Sequence, residues 1–268
     1  MFQKTTPSIR QRYESKFVIP KEMIEPISNF ASVYCSPDKH SINSHNGFYR
    51  VNNLYFDTPD FLFLMRRLDG CENRFNMRIR SYTDSRELPC FLEVKQKTGD
   101  IVNKYRAALH DKNWHKLFED PDYTLSEEED FAPTSYKTLF FKLAYTYNAT
   151  PVMLSQYWRK AYESNVNEYA RVTFDTDLRY QPAEGYCLIP DENKMVPLDD
   201  ETLFDPECDV VLELKCYSMQ VPLWMIDLIR YFNLQRRGFS KYVAGVLNVL
   251  QLCTYDTGAR QTSSMDFI

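Results

Sequence analysis

Glycine is scarce in this chain, with 7 in 268 residues. No G-x-x-x-x-G-K-[ST] or G-x-G-x-x-G run occurs, which removes a P-loop and a dinucleotide-binding βαβ unit. G-x-S-x-G is missing too, and with it the strained serine turn of the α/β-hydrolases. The 7 cysteines are odd in number and form no C-x-x-C pair. A disulfide framework or a zinc site is therefore not expected, and reduced thiols in a cytoplasmic chain are the simpler reading. His40, His45, His110 and His115 include no pair at helical i, i+4 spacing, so no histidine-based metal site is expected. No apolar run approaches the roughly 20 residues of a spanning helix. The opening "MFQKTTPSIRQRYESK" lacks the apolar core of a secretory signal. Excess positive charge is absent as well: net charge is −5 and the pI about 5.5. That excludes a broad basic surface for nucleic acid, so any cationic site must be local.

What is present is a strand-rich pattern, with 19 Tyr, 18 Phe and 15% aromatics. "RFNMRIRSY" (74–82) alternates, with Phe75, Met77 and Ile79 on one side and Asn76, Arg78 and Arg80 on the other. Similar strands are expected at 13–20, 47–58, 152–164, 170–180 and 209–218, and "CFLEVKQKTGDIVNKYRAAL" (90–109) reads as a hairpin turning at "KTGD". Helices are expected over 21–34, with Pro26 forcing a kink or a late start, and between a cap at Asp57 or Thr58 and Gly70. Others are expected at 111–120, at 135–148, from Pro222, and after a Ser240 cap. "SEEEDFAPTS" reads as an acidic loop, and 181–208 as a polar insertion. No repeat or composition break divides the chain. The boundaries expected are an N-terminal extension at 1–11, one domain over 12–252 and a tail at 253–268. About eight strands with few parallel crossovers imply an α+β fold around a mainly antiparallel sheet, closed into a barrel.

Any one cationic pair on a strand is commonly just a solvated face. Taken together, Lys16, Arg50, Arg78, Arg80, Lys95, Lys97, Lys104, Arg106, Arg159, Arg171 and Lys215 each lie in an expected strand, opposite several apolar residues. If the sheet closes, such a lining repels itself and loses hydration unless anions compensate. Arg supplies a fork matched to phosphate oxygens and Lys a compact charge. The Glu-x-Lys pairs Glu14–Lys16, Glu93–Lys95 and Glu213–Lys215 place a carboxylate beside an ammonium on one side of a strand. The three carboxylates are candidate ligands for a divalent cation, Mn²⁺ or Mg²⁺, that also takes phosphate oxygens and water. Ser240 and Lys241 stand where the last helix begins, a place suited to a phosphate, although a serine there is more commonly only a cap.

The stretches "RYESKFVIP", "YRVNNLYFDTPD", "LDGCENRFNMRIRSY", "FLEVKQK", "RVTFDTDLR", "LELK" and "GFSKYVAGV" resemble the polyphosphate polymerase domain of the vacuolar transporter chaperone (VTC) family in its bacterial form, within the triphosphate tunnel metalloenzymes. The resemblance runs from about Arg12 to Val249. It implies a closed, antiparallel eight-stranded tunnel with helices packed outside, and transfer of the ATP γ-phosphoryl group to a growing polyphosphate chain. The positions matching the family's phosphate-binding lining are Lys16, Arg78, Arg80, Lys95, Lys104, Arg159, Arg171, Lys215, Lys241 and Ser240, and Glu213 matches its metal-binding carboxylate. Glu14 and Glu93 are inferred as metal ligands only from the strand face they share. The related triphosphatases and cyclases begin with Glu-x-Glu-x-Lys. Here Arg12 replaces the first Glu, which favours the polymerase. A metal-dependent triphosphatase and a non-catalytic polyphosphate-binding module stay open as alternatives. The implied partners are ATP, triphosphate or polyphosphate, with a membrane protein for polymer export, which would bring a cytoplasmic domain to the inner face of a membrane.

Overall fold

The structure, a computed structural model, describes residues 12–82, 89–99, 101–120, 122–123, 134–198, 209–217 and 221–256. The acidic run at 126–130 and the tail from 257 onward lie outside the described residues. The strands expected from alternation are β1 (Arg12–Ile19), β3 (Tyr49–Asp57), β4 (Asn73–Ser81), β5 (Cys90–Thr98), β6 (Ile101–Leu109), β7 (Thr150–Ser164), β8 (Ala170–Pro182) and β10 (Val210–Tyr217). They form one antiparallel path in the order β1-β10-β8-β7-β3-β4-β5-β6. Two short strands, β2 (Cys35–Pro37) on β7 and β9 (Val196–Pro197) on β8, bring the sheet to ten. At two or three residues they are too short to show a period.

Among the described residues no backbone ladder joins β1 to β6, the two ends of the path. The ends nevertheless approach each other, because Lys95 Nζ on β5 lies 3.4 Å from Glu14 Oε2 on β1. Side chains from opposite ends of the path meet only if the sheet curls around one face. That concave face carries the cations.

The convex face is apolar and covered by helices. Helix α1 (Ile24–Ser32) follows a 3-10 turn at Lys21–Met23, so Pro26 falls in its first turn and the late start is the outcome. Together with α6 (Leu223–Tyr231) it packs Ile27, Trp224 and Leu228 on Phe17, Phe174 and Leu212. Helix α5 (Thr134–Thr146) sets Phe140 and Ala144 against Leu54, Ile79 and Leu92. The short α4 (Lys116–Glu119), all that forms of the helix expected at 111–120, completes this layer; the short α2 (Lys39–Ile42) stands instead at one end of the concave face, where His40 packs on Tyr49 and Tyr82.

A long helix also breaks the expectation that helices pack outside. Helix α7 (Lys241–Asp256) lies on the concave side, where Tyr242 and Val246 join Val51, Tyr55, Met153 and Tyr157. Its seat requires Gly245, because a Cβ there would stand 2.3 Å from Met153 Sδ and 2.3 Å from the Tyr180 ring. The helix is tied down by Asp57, which is fully buried. Asp57 accepts hydrogen bonds from the Phe63 and Leu64 amides at 2.8 and 3.0 Å, capping α3 (Leu62–Leu68), and from the Tyr242 hydroxyl of α7. Thr58 Oγ1 accepts from the Leu62 amide at 2.9 Å, so both expected caps act. Gly245→Ala is expected to cost about 2 kcal/mol net, since overpacking outweighs the better helix propensity of Ala. A thermal melt should fall by roughly 4–8 °C.

Candidate functional site

Alternation and register decide which side chains share the concave face. On β10 and its neighbours, Glu213 stands between Lys16 on β1 and Thr173 on β8, and Lys215 between Glu14 and Arg171. Arg159 on β7 is opposite Asp175 on β8. On the other arm Arg78 lies between Tyr55 and Glu93, and Glu93 faces Arg106.

Two carboxylate-centred clusters result. In the first, Glu93 is 2% exposed. Its Oε2 accepts from Arg78 Nε and one terminal nitrogen at 2.8 and 2.6 Å, while its Oε1 lies 2.7 Å from Lys104 Nζ and 3.6 Å from Arg106 Nε. Arg80 donates from Nε to Asn53 Oδ1 at 2.8 Å and from a terminal nitrogen to the Tyr157 hydroxyl at 3.1 Å. Burial alone would raise the Glu93 pKa, but Arg80, Arg78 and Lys104 hold it well below the usual carboxylate range.

In the second cluster, Asp175 is fully buried and takes a two-pronged guanidinium contact from Arg159 at 2.5 and 2.7 Å. Lys241 Nζ reaches Asp175 Oδ2 at 2.6 Å and Glu213 Oε1 at 3.6 Å. Glu213 also holds Lys215 through Oε2, and Lys16 through Oε1 at 3.3 Å. Against the cost of burial, Arg159 and Lys241 lower the Asp175 pKa to about 2. Lys215, Lys16 and Lys241 hold Glu213 low as well. Glu14, opposed by burial but facing Lys215, Lys95 and Lys16, titrates at about 2. Tyr157 joins the clusters: its hydroxyl accepts from Arg80, and its ring lies 5.0 Å from Lys241 Nζ and 5.4 Å from the Arg159 guanidinium.

Cations outnumber carboxylates on this face, which therefore carries uncompensated positive charge. Thr173 Oγ1 and Arg171 Nε are also buried without a hydrogen-bond partner. A polyanion supplies what both observations lack: negative charge and acceptor oxygens.

The remaining expected site residues are placed as follows. Arg171 sits toward one end of the face, held by Asp38 at 2.6 Å and Glu163 at 3.2 Å. Lys95 and Lys97 stand toward the tip of the β5–β6 hairpin. Ser240 accepts from the Val243 amide at 3.4 Å, the geometry of a helix cap. Arg50 corrects the sequence reading. It lies on the convex face, over the Trp158 ring at 4.9 Å and 3.4 Å from Glu192. The inward residues of β3 are Tyr49, Val51, Asn53 and Tyr55, whose register partners are Arg159, Tyr157, Ser155 and Met153. The period of two puts Tyr157 on one face with Arg159, and Asp175 with Arg171 and Thr173, but gives neither a role in the site; Asn53 and Tyr55 have the opposite parity to Arg50, and Asp38 lies outside the expected strands.

Among the described residues no three His, Cys, Asp or Glu converge on one point, so the protein alone offers no complete metal cage. Glu14 and Glu213 do share one neighbour, each lying 3.3 Å from Lys16 Nζ. That donor set fits a divalent ion arriving with phosphate oxygens, which needs only one or two carboxylates. Glu93 fits less well, because no second carboxylate shares its neighbours: among the described residues the ion pairs of Arg78, Arg80, Lys104 and Arg106 all run to Glu93.

Lys104 is the titratable member of the lining. Burial, only partly offset by Glu93 and reinforced by Arg80 and Arg78, lowers its pKa to about 7. Below that pH it is a cation, and above it a neutral amine. The unfolded chain then binds more protons than the folded one, so stability rises as pH climbs through about 7 toward the ordinary lysine value. Polyanion affinity moves the opposite way. Calorimetry with tripolyphosphate from pH 6 to 8.5 should show Lys104→Arg gaining several-fold over wild type as pH rises; a constant ratio would contradict the assignment.

The chain matches the family model described as "VTC domain" over residues 11–250. It is 25% identical over 249 residues to the vacuolar transporter chaperone complex subunit 4 of Trypanosoma brucei brucei, covering 82% of this chain. It is 26% identical over 251 residues to the subunit of that name in Trypanosoma cruzi, covering 84% of this chain. In both cases the match spans 31% of the relative's length. Among solved structures, a candidate adenylate cyclase from Bacillus halodurans is 13% identical, covers 86% of this chain and 94% of its own, and superposes with a TM-score of 0.48. That score is below the level at which a shared fold follows. Among the described residues no helix is long and apolar enough to cross a membrane.

Proposed function

The chain belongs to the VTC domain family, and from that premise we propose that it synthesises polyphosphate by transferring the γ-phosphoryl group of ATP to a chain held on the concave face. The observation that carries this reading is the convergence of Arg78, Arg80, Arg159 and Lys241 on one face with more positive charge than its own carboxylates neutralise. Phosphoryl transfer asks for that, because positioning and charge neutralisation supply most of its catalysis.

The terminal phosphate oxygen of the acceptor attacks the γ-phosphorus. The bond to the β–γ bridging oxygen breaks, and ADP leaves with that oxygen. The attacking oxygen is already anionic, so no general base is required. Arg78, Arg80 and Arg159 hold phosphate oxygens in line. Lys16 and Lys241 offset charge building on the transferring and leaving groups. Glu213 and Glu14 would hold Mn²⁺ or Mg²⁺, which when bound neutralises phosphoryl oxygens. The relatives are named as subunits of a vacuolar transporter chaperone complex, which supports partner proteins; in this reading one of them is a membrane protein for export, and ATP and polyphosphate are the ligands.

The test is incubation of the purified protein with ATP and Mn²⁺. Acid-insoluble polymer appearing in step with ADP is the expected result. Free phosphate without polymer would replace the polymerase with a triphosphatase. Tight tripolyphosphate binding without turnover would leave a binding module.

A further inference from the structure

Asp57 ends β3, is fully buried and belongs to neither carboxylate cluster. Its Oδ1 accepts from the Thr58 and Phe63 amides at 2.7 and 2.8 Å, and its Oδ2 from the Leu64 amide at 3.0 Å. All three donors lie within 7 residues of it along the chain, and they complete the cap of α3. The fourth donor, the Tyr242 hydroxyl, comes from 185 residues away and adds nothing to that cap. Tyr242 is buried among Val51, Tyr55, Leu64, Met153 and Val246, surroundings that a Phe ring would fill equally well. A hydroxyl buried there costs desolvation, and its bond to Asp57 is what offsets that cost.

That bond fixes the first turn of α7. Lys241 is the neighbour of Tyr242 there, and consecutive residues project about 100° apart around a helix. Tyr242 turns to Asp57, while Lys241 sends its Nζ to Asp175 at 2.6 Å and Glu213 at 3.6 Å. A rotation or slide of α7 would therefore move both side chains together. The Tyr242 ring also lies 5.2 Å from the ring of Tyr55, whose hydroxyl accepts from Arg78 at 3.1 Å. One pair of side chains outside the clusters thus bears on a cation in each, Lys241 and Arg78. Burial, and then the Asp57 carboxylate, holds the Tyr242 phenol above its ordinary value, so the hydroxyl keeps the proton it donates.

We propose that Asp57 and Tyr242 form a positioning pair for phosphoryl transfer: the carboxylate, through the hydroxyl, sets the start of α7 and with it the place of the Lys241 ammonium, while neither touches the ligand. The inference rests on the proposed function for the reaction and adds two residues that act through Lys241. Charge on the transferring and leaving groups is greatest in the transition state, so a displacement of Lys241 by about 1 Å lowers turnover more than it lowers binding. Tyr242→Phe isolates the effect. It keeps the ring on Tyr55 and the three amides on Asp57, and removes one hydrogen bond.

The test is steady-state turnover of ATP, with tripolyphosphate calorimetry alongside, on wild type, Tyr242→Phe, Lys241→Met and the variant carrying both changes. For Tyr242→Phe the expected result is a kcat lower by about tenfold, with the KM for ATP and the tripolyphosphate affinity within about twofold of wild type. In the Lys241→Met background the same change should cost less than about twofold, because it acts through an ammonium that is no longer there. Asp57→Asn, which also weakens the α3 cap, should lower kcat at least as far and lower the melt as well. Three results overturn the pair while leaving the proposed function in place: a Tyr242→Phe kcat within about twofold of wild type, KM and affinity weakening in step with kcat, or an equal loss in both backgrounds. If wild type turns over no ATP, the function proposed above falls and the inference with it. Should Lys241→Met leave no residual turnover, the split between kcat and KM in Tyr242→Phe decides.

Discussion

Glu93→Gln is expected to destabilise the empty protein by about 3 kcal/mol, because it leaves buried cations without their counterion, and to tighten tripolyphosphate binding at least tenfold. Glu93 is the counterion of Arg78, Arg80, Lys104 and Arg106 in the absence of ligand. Gln keeps its shape and one acceptor oxygen but not the charge. Those cations then repel each other with nothing between them, which an anionic ligand corrects more strongly than in wild type. A melt should fall by roughly 6–12 °C for a chain of this size and recover in saturating tripolyphosphate. Weaker binding in the variant would mean that Glu93 contributes to the ligand or to its metal directly.

Removal of Arg159 is the second large effect. Arg159→Ala is expected to lower polymer synthesis by roughly a thousandfold, as for loss of a group that stabilises transition-state charge, and to cost about 4 kcal/mol of stability by exposing a broken buried pair. Asp175 would keep only Lys241. With the fully buried carboxylate no longer shared, Lys241 turns toward Asp175 and away from substrate. Arg159→Lys restores the charge but not the fork, so it should recover much of the stability and little of the turnover. Denaturant unfolding and ATP-dependent polymer assays on both variants separate the effects. Turnover of Arg159→Ala within about threefold of wild type would remove Arg159 from the proposed machinery.

The sequence made the strands legible because one face of each is covered by helices and the other is polar, which writes a period of two. It made the helices legible where caps and apolar stripes coincide, as at Pro222 and Ser240. Arg50 was misplaced because β3 is buried on both faces: Val51 and Leu54 are equally inaccessible, so its parity cannot be read from hydrophobicity. The concave seat of α7 was hidden for a related reason. Tyr242, Val246 and Gly245 look the same whether a helix packs outside or inside a curved sheet. The pairing of Arg159 with Asp175, and of four cations with Glu93, depends on cross-strand register, which no single strand records.

The central claim is that cations from β1, β4, β7 and α7 serve one polyanion. A crystal structure of the protein with tripolyphosphate tests it most directly. The expected density is one continuous triphosphate on the concave face, with oxygens within hydrogen-bond reach of Arg78, Arg159 and Lys241 together. Triphosphate bound only on the convex surface, with the Glu93 and Asp175 contacts undisturbed and the concave face holding water alone, would contradict it.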